Sequence, residues 1–289
     1  MEKISARILQ GAHLCLGVDP DLGKIPAEVS VTEFCQRSLE RSLLYAAAIK
    51  PNIAFFEERG SEGLKELELV IRHVRSLDPG VPIILDMKRG DIGKTNSRYI
   101  KEAFDLFGVD AVTVHPYLGR ESLSGFLAEA ERGIIILCRT SNPGAGEFQD
   151  LTVDVSTDPV LGQDRAPLYQ VVARNVSRDW DESGNCGLVV GAVYPNELAK
   201  VREIAPSIFL LIPGVGTQSG DLRASVGKAY NPNALADFVI NVSSRWSSAY
   251  LTEQFKADPK HFDKAAAKAA DFYDQQIRSV LESFRTMEG

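Results

Sequence analysis

Residues 47–77 read AAIKPNIAFFEERGSEGLKELELVIRHVRSL, a short apolar run that passes into a longer amphipathic one. The first part is apolar continuously rather than at alternate positions, the pattern of a strand buried on both faces. In the second part Leu64, Leu67, Val70, Ile71 and Val74 fall on one face of a helix. The same unit recurs along the chain. HLCLGVD (13–19), PIILDMK (82–88), AVTVHP (111–116), GIIILCR (133–139), CGLVVGAV (186–193), IFLLIPGVG (208–216) and FVINVSS (238–244) bring the strand candidates to eight, each followed by a polar stretch with helical apolar spacing. An open doubly wound sheet uses the same alternation but more often carries about five or six strands, whereas a closed parallel barrel takes eight in about 250 residues. The expectation is a single (β/α)8 domain over residues 1–289, the TIM-barrel architecture. Two segments stand outside this rhythm. Residues 143–163, rich in Gly, Asp, Thr and Ser, are expected as an extended loop after strand five, either a lid or a plain surface insertion. KAAAKAADFYDQQIRSVLESF (264–284) is expected as a C-terminal helix packed outside the barrel.

Composition narrows the function classes. Hydrophobic residues make up 44% and charged residues 25%, enough apolar surface for a sizeable core. A formal charge of −7 argues against a large nucleic-acid footprint, since neutralising phosphate chains needs clustered, excess Lys and Arg. The opening MEKISARILQGAHL lacks a signal-like apolar stretch, and no apolar run approaches about 18 residues. The expected location is cytoplasmic, without membrane association. Cys15, Cys35, Cys138 and Cys186 lie far apart with no CxxC pair, and His13, His73 and His261 show no ligand spacing. Neither a disulfide framework nor a metal site is expected.

In such barrels chemistry is carried where strands end and βα-loops begin. The third run ends ILDMKRGDIGKT (84–95), with Asp86 and Lys88 two apart and so on one strand face. Gly90 then permits a sharp turn, and Asp91 and Thr95 stand at the entrance of the next helix. Read plainly, these are a strand-end ion pair and a helix cap. Read functionally, they are a lysine flanked by carboxylates, which favour its ammonium form and make it a positioned proton donor. An imine-forming lysine needs the opposite environment. The seventh and eighth runs open into PGVGTQSGD (213–221) and NVSSRW (241–246), the two loops at which phosphate-handling barrels hold their anion. Gly214 and Gly216 admit backbone amides close to an oxyanion, and Arg245 supplies a bidentate fork. Asp19 and Lys50 end strands one and two, as candidates to hydrogen-bond sugar hydroxyls or as ordinary strand-end polar residues, and Ser141 in RTSNPGAG closes strand five, a candidate to meet a heterocycle edge. His115 in VHPY is equally placed, but a lone histidine is more often structural and stays outside the candidate set.

Taken together, the motifs resemble the orotidine 5′-phosphate decarboxylase family in its longer bacterial form, from Leu14 to about Trp246. Its D-x-K-x-x-D signature is matched by Asp86, Lys88 and Asp91, followed by Ile92 and Thr95; PGVGTQ and the Ser244-Arg245 step look like its phosphate segments. The resemblance implies decarboxylation of orotidine 5′-phosphate to UMP and CO2, the last step of de novo pyrimidine nucleotide synthesis, with no cofactor and no metal. It implies Lys88 as proton donor, Asp86 beside the departing CO2 group, and Asp91 with Thr95 reaching in from a partner chain, hence a homodimer with shared active sites. Asp19 and Lys50 would bind ribose hydroxyls, Ser141 and Pro213 would meet the pyrimidine, and Gln218 would bridge towards the phosphate held at Ser244 and Arg245. Lys94 departs from the small or amide residue of many relatives, Ser244 from a common glycine, and the segment 143–163 from the compact family form. Two other readings are a metal-dependent sugar-phosphate decarboxylase or aldol-type synthase of the same barrel type, and a non-catalytic nucleotide-binding barrel. Dependence on a divalent ion marks the first, and binding without turnover the second.

Overall fold

The structure, a computed structural model, describes residues 1–215, 221–231 and 238–288. Each of the eight apolar runs contains one strand: β1 Leu14–Val18, β2 Ala46–Pro51, β3 Ile84–Arg89, β4 Ala111–Val114, β5 Gly133–Arg139, β6 Cys186–Val190, β7 Phe209–Ile212 and β8 Phe238–Val242. All neighbouring pairs are parallel, in the order β2-β1-β8-β7-β6-β5-β4-β3. The two ends of that order meet through parallel bridges at Ile49–Ile83 and Asn52–Asp86, which close the sheet into a barrel. Closure removes the exposed sheet edges that an open sheet would leave unpaired.

Two apolar cores follow from the continuous burial of the strands. Inside the barrel, Cys15, Ala47, Ile84, Ala111, Ile135, Val189, Leu211 and Val239 pack with Ile4 and Ile8 of the amino-terminal helix Glu2–Leu9. Burial at this centre pushes the Cys15 thiol up to about 12, so it acts as a small hydrophobe. Between barrel and helices lies the larger core. There helix Gly60–Leu77 buries Leu67, Val70, Ile71 and Val74, with Leu64 partly covered, as its spacing predicts. Each such side chain contributes about 1.5–3 kcal/mol on leaving water. The helix Phe262–Glu288 lies outside the barrel against helix Val31–Ser42 and β1. Its buried face is built from Ala265, Ala266, Ala269 and Ala270, small residues that allow close approach, and Asp263 is fastened by Arg41 at 2.6 Å.

The segment after β5, expected as an extended loop, carries secondary structure of its own. It contains a turn of helix at Gly146–Gln149, and Thr152–Asp154 pairs antiparallel with Arg165–Pro167. Ion pairs Arg139–Asp150 (2.9 Å) and Arg174–Asp158 (2.6 Å) tie this excursion to the barrel. Strands of three residues are too short to register as a periodicity in sequence. Among the described residues, no helix is long and apolar enough to cross a membrane.

Candidate active site

β3 pairs regularly with β4 at Ile84–Ala111 and Leu85–Val112, then slips, so that the next pair is Arg89–Val114. Asp86, Met87 and Lys88 therefore stand opposite Thr113 alone, a bulge that re-aims side chains at the strand tip. Lys88 takes up the distortion with φ 45°, the one non-glycine residue with positive φ among those described. The positive φ thus falls at Lys88 and not at Gly90. Glycine is needed at 90 for a different reason: a Cβ there would stand 2.7 Å from the His115 ring. His115, outside the candidate set, accordingly has a packing role beside the site.

The bulge gathers charge. Lys88 Nζ donates to Asp86 Oδ1 at 2.6 Å, and Lys50 Nζ donates to Asp86 Oδ2 at 2.6 Å. Thr113 Oγ1 is 2.8 Å from Asp86 Oδ1. Burial alone raises the Asp86 pKa, but the Lys50 and Lys88 charges overrule it and hold the carboxyl well below the usual carboxylate range. Likewise burial opposes the charge on Lys50, yet Asp86 and Asp19 raise its pKa above that of an ordinary lysine. Asp19 is raised by its own burial, against Lys50 and a hydrogen bond with Ser243. Lys50, which the sequence assigned to ribose hydroxyls alone, is thus also the buried half of the charge array. Lys88 is the accessible half, its side chain 50% exposed against 5% for Lys50.

Two joined cavities lie over this array at the carboxyl ends of the strands. One, about 340 Å³, is lined by Asp19, Lys50, Asp86, Ser141, Pro213, Gly214, Asn241, Ser243 and Ser244, among others. The other, about 320 Å³, adds Lys88, Thr113 and the apolar Leu137, Val189 and Leu211, and shares Lys50, Asp86, Ser141 and Pro213 with the first. The cleft therefore runs from the Lys88 ammonium to a glycine- and serine-lined end formed after β7 and β8. Gly17 is required at that end because a Cβ would stand 1.9 Å from Ser243 Oγ. Asp19 Oδ1 and Asn241 Oδ1 are buried acceptors with no hydrogen-bond partner among the described residues. Asn241 was missed in the sequence, although a polar residue inside the run FVINVSS is a signal, since every position of β8 is buried.

Other candidates are placed differently. Asp91 Oδ1 accepts from Ile92 N–H at 2.6 Å, and Asp91 N–H donates to Asn96 Oδ1 at 2.9 Å. No ion pair joins Asp91 to Lys88 among the described residues, and neither Asp91 nor Thr95 lines the cleft. Arg245 sits on the short helix Ser244–Ser247, exposed, beside cleft-lining Ser244 and close enough to Tyr273 to act on its hydroxyl. Gly216 and Gln218 lie outside the described residues. No group of three or more His, Cys, Asp or Glu side chains is assembled as a candidate metal centre among the described residues.

Fold and cleft define a class: a (β/α)8 barrel with a buried lysine–carboxylate array at the carboxyl ends of its strands. Comparison with known proteins narrows it. The orotidine 5′-phosphate decarboxylase / HUMPS family model matches residues 12–245. The chain is 42% identical over 277 residues to the orotidine 5′-phosphate decarboxylase of Azoarcus sp. (strain BH72), covering 94% of each chain. Among solved structures, Leishmania donovani OMP decarboxylase is 35% identical with a TM-score of 0.76, covering 94% of this chain and 98% of that one. Leishmania donovani UMP synthase, also 35% identical, has a TM-score of 0.77 over 94% of this chain, which spans 56% of that longer protein. The chain belongs to the orotidine 5′-phosphate decarboxylase / HUMPS family.

Proposed function

We propose that this chain is a cofactor-free lyase that converts orotidine 5′-phosphate to UMP and CO2. In this reading it performs the last step of de novo pyrimidine nucleotide synthesis in the cytoplasm, with residues 1–289 acting as one catalytic domain. The observation that carries the reading is the Lys88 ammonium, gripped at 2.6 Å by Asp86 and facing a cleft whose far end is lined by Gly214 and Ser244. In the reaction the bond from pyrimidine C6 to the carboxylate carbon breaks, CO2 leaves, and the electron pair stays on C6. A proton passes from Lys88 Nζ to C6, and solvent restores it to the lysine. An ammonium aimed at the developing carbanion favours the transition state over the ground state. Asp86 sits beside the departing carboxylate, while Lys50 keeps Asp86 ionised and reaches the ribose with Asp19. Ser141 and Pro213 border the pyrimidine; Ser244, Arg245 and Gln218 hold the phosphate, whose binding energy orients the remote C6.

The test is loss of orotidine 5′-phosphate followed spectrophotometrically in excess EDTA, with undiminished turnover expected. Turnover that disappears on chelation would favour the metal-dependent sugar-phosphate reading. Calorimetric binding of UMP without turnover would leave a non-catalytic nucleotide-binding barrel.

We also propose a homodimer in which Asp91 and Thr95 complete the neighbour's site. Support comes from the absence, among the described residues, of an ion pair between Asp91 and Lys88 within one chain. Ile92, Tyr117, Leu118, Phe148 and Leu151, from the segments after β3, β4 and β5, are exposed apolar residues, with the Tyr117 and Phe148 rings 6.5 Å apart. A covered apolar face suits a self-complementary two-fold interface. Lys88→Ala and Asp91→Ala, each inactive alone, are expected to recover about a quarter of wild-type activity when co-expressed, since half the dimers are mixed and each has one intact site. No recovery from a mixture shown to contain mixed dimers would rule out sharing.

A further inference from the structure

We propose that Thr113 is a positioning residue for the proton donor, its hydroxyl tying the backbone of Lys88 to the carboxylate that grips the Lys88 side chain. The inference rests on the decarboxylase reading above. The register slip between β3 and β4 removes the ladder partner that the Lys88 N–H would otherwise have. Thr113, fully enclosed on β4, replaces that partner: Lys88 N–H donates to Thr113 Oγ1 at 3.0 Å. The same oxygen is 2.8 Å from Asp86 Oδ1. A hydroxyl has a single proton and two lone pairs, and an ionised carboxylate only accepts, so Thr113 accepts from the Lys88 N–H and donates a hydrogen bond to Asp86. Lys88 Nζ donates to that same Oδ1 at 2.6 Å, which closes a ring through Thr113 Oγ1, the Lys88 backbone and side chain, and Asp86.

The ring explains two features together. A β-branched threonine suits a buried strand position, and its hydroxyl, which the similarly shaped Val lacks, is engaged by both the Lys88 N–H and Asp86. Lys88 at φ 45° is a strained conformation for a side chain other than glycine, and such strain persists only where the surroundings over-determine it. Thr113 provides the hydrogen bond that holds the strained peptide. Without it, the ammonium and its carboxylate lose their common anchor while the remainder of the cleft stays as built.

The test compares Thr113→Ser, Thr113→Ala and Thr113→Val in the full chain, measuring kcat, KM and the affinity for UMP. Hydrogen bonds to charged groups are worth a factor of roughly 10 to 100, so the Ala and Val variants are expected to lose about that much in kcat. UMP affinity is expected to stay within about threefold, and Thr113→Ser to keep kcat within about threefold, because it restores the same donor and acceptor. Thermal melting checks folding, and if Val does not fold, the Ser and Ala pair isolates the hydroxyl. Wild-type kcat in Ala or Val, a serine variant as impaired as alanine, or parallel losses of kcat and UMP affinity would each overturn the proposal. A wild-type chain inert towards orotidine 5′-phosphate would instead remove the decarboxylase reading, and this inference with it.

Discussion

Lys88→Ala is expected to lower turnover of orotidine 5′-phosphate by at least about 10⁴-fold while UMP binds within roughly tenfold of wild type. In the proposed mechanism the variant removes both the charge that stabilises the C6 carbanion and the proton that quenches it. Its effect falls on chemistry rather than folding. The Lys88 side chain is half exposed, and Asp86 retains Lys50 at 2.6 Å and Thr113 at 2.8 Å after the truncation. No buried charge is left bare. The glycine- and serine-lined end of the cleft, at Gly214, Ser243 and Ser244, is untouched. Calorimetry with UMP and single-turnover kinetics with orotidine 5′-phosphate separate the two effects, and near-wild-type activity would refute the role given to Lys88.

Asp86→Ala is expected to damage both stability and turnover. Lys50 is buried and loses its 2.6 Å partner, and Thr113 loses its acceptor. Removing one member of a buried ion pair costs about 3–5 kcal/mol, because the remaining charge stays desolvated. For a chain of this size that corresponds to a fall in Tm of roughly 10 °C. Lys88 also loses the group that fixes its ammonium, so kcat falls with Tm. Asp86→Asn keeps the shape and one acceptor oxygen; it should melt closer to wild type and still turn over poorly.

The pH dependence of that stability difference has a definite sign. The Asp86 carboxyl is depressed, chiefly by Lys50 and Lys88 acting against burial, so its contribution is complete above the unfolded value of about 3.9 and is lost as pH falls through the folded value. Lys50 is raised, so its contribution is complete below about 10.4 and is lost as pH rises through the folded value. The melting difference between wild type and Asp86→Ala should therefore be greatest near neutral pH and narrow towards both the acid and the alkaline end. A difference below about 1 kcal/mol at neutral pH would show that the pair is no more than a surface-type contact.

Much of the barrel is legible in the sequence. Strands buried on both faces must be apolar throughout, so each of the eight runs announced its own strand, and the spacing of Leu67, Val70, Ile71 and Val74 announced the helix that covers one of them. The same logic exposed Asp86 and Lys88, because an acidic and a basic residue at the end of a buried run need a reason to be there. It also located the glycine- and serine-lined end of the cleft, through Gly214 and Ser244.

Other features had no local signature. Lys50 and Asp86 are 36 residues apart and meet only because closure of the barrel brings β2 beside β3 at Asn52–Asp86. The slip opposite Thr113 is a matter of register between two strands, and side-chain alternation within β3 does not reveal it. The hairpin after β5 pairs segments too short to show a period. Residue pattern thus determined which segments are strands and which tips carry charge, since burial and periodicity act along the chain. Which charges meet, which peptide is strained and which hydroxyl joins them were decided by closure and register, which act across it.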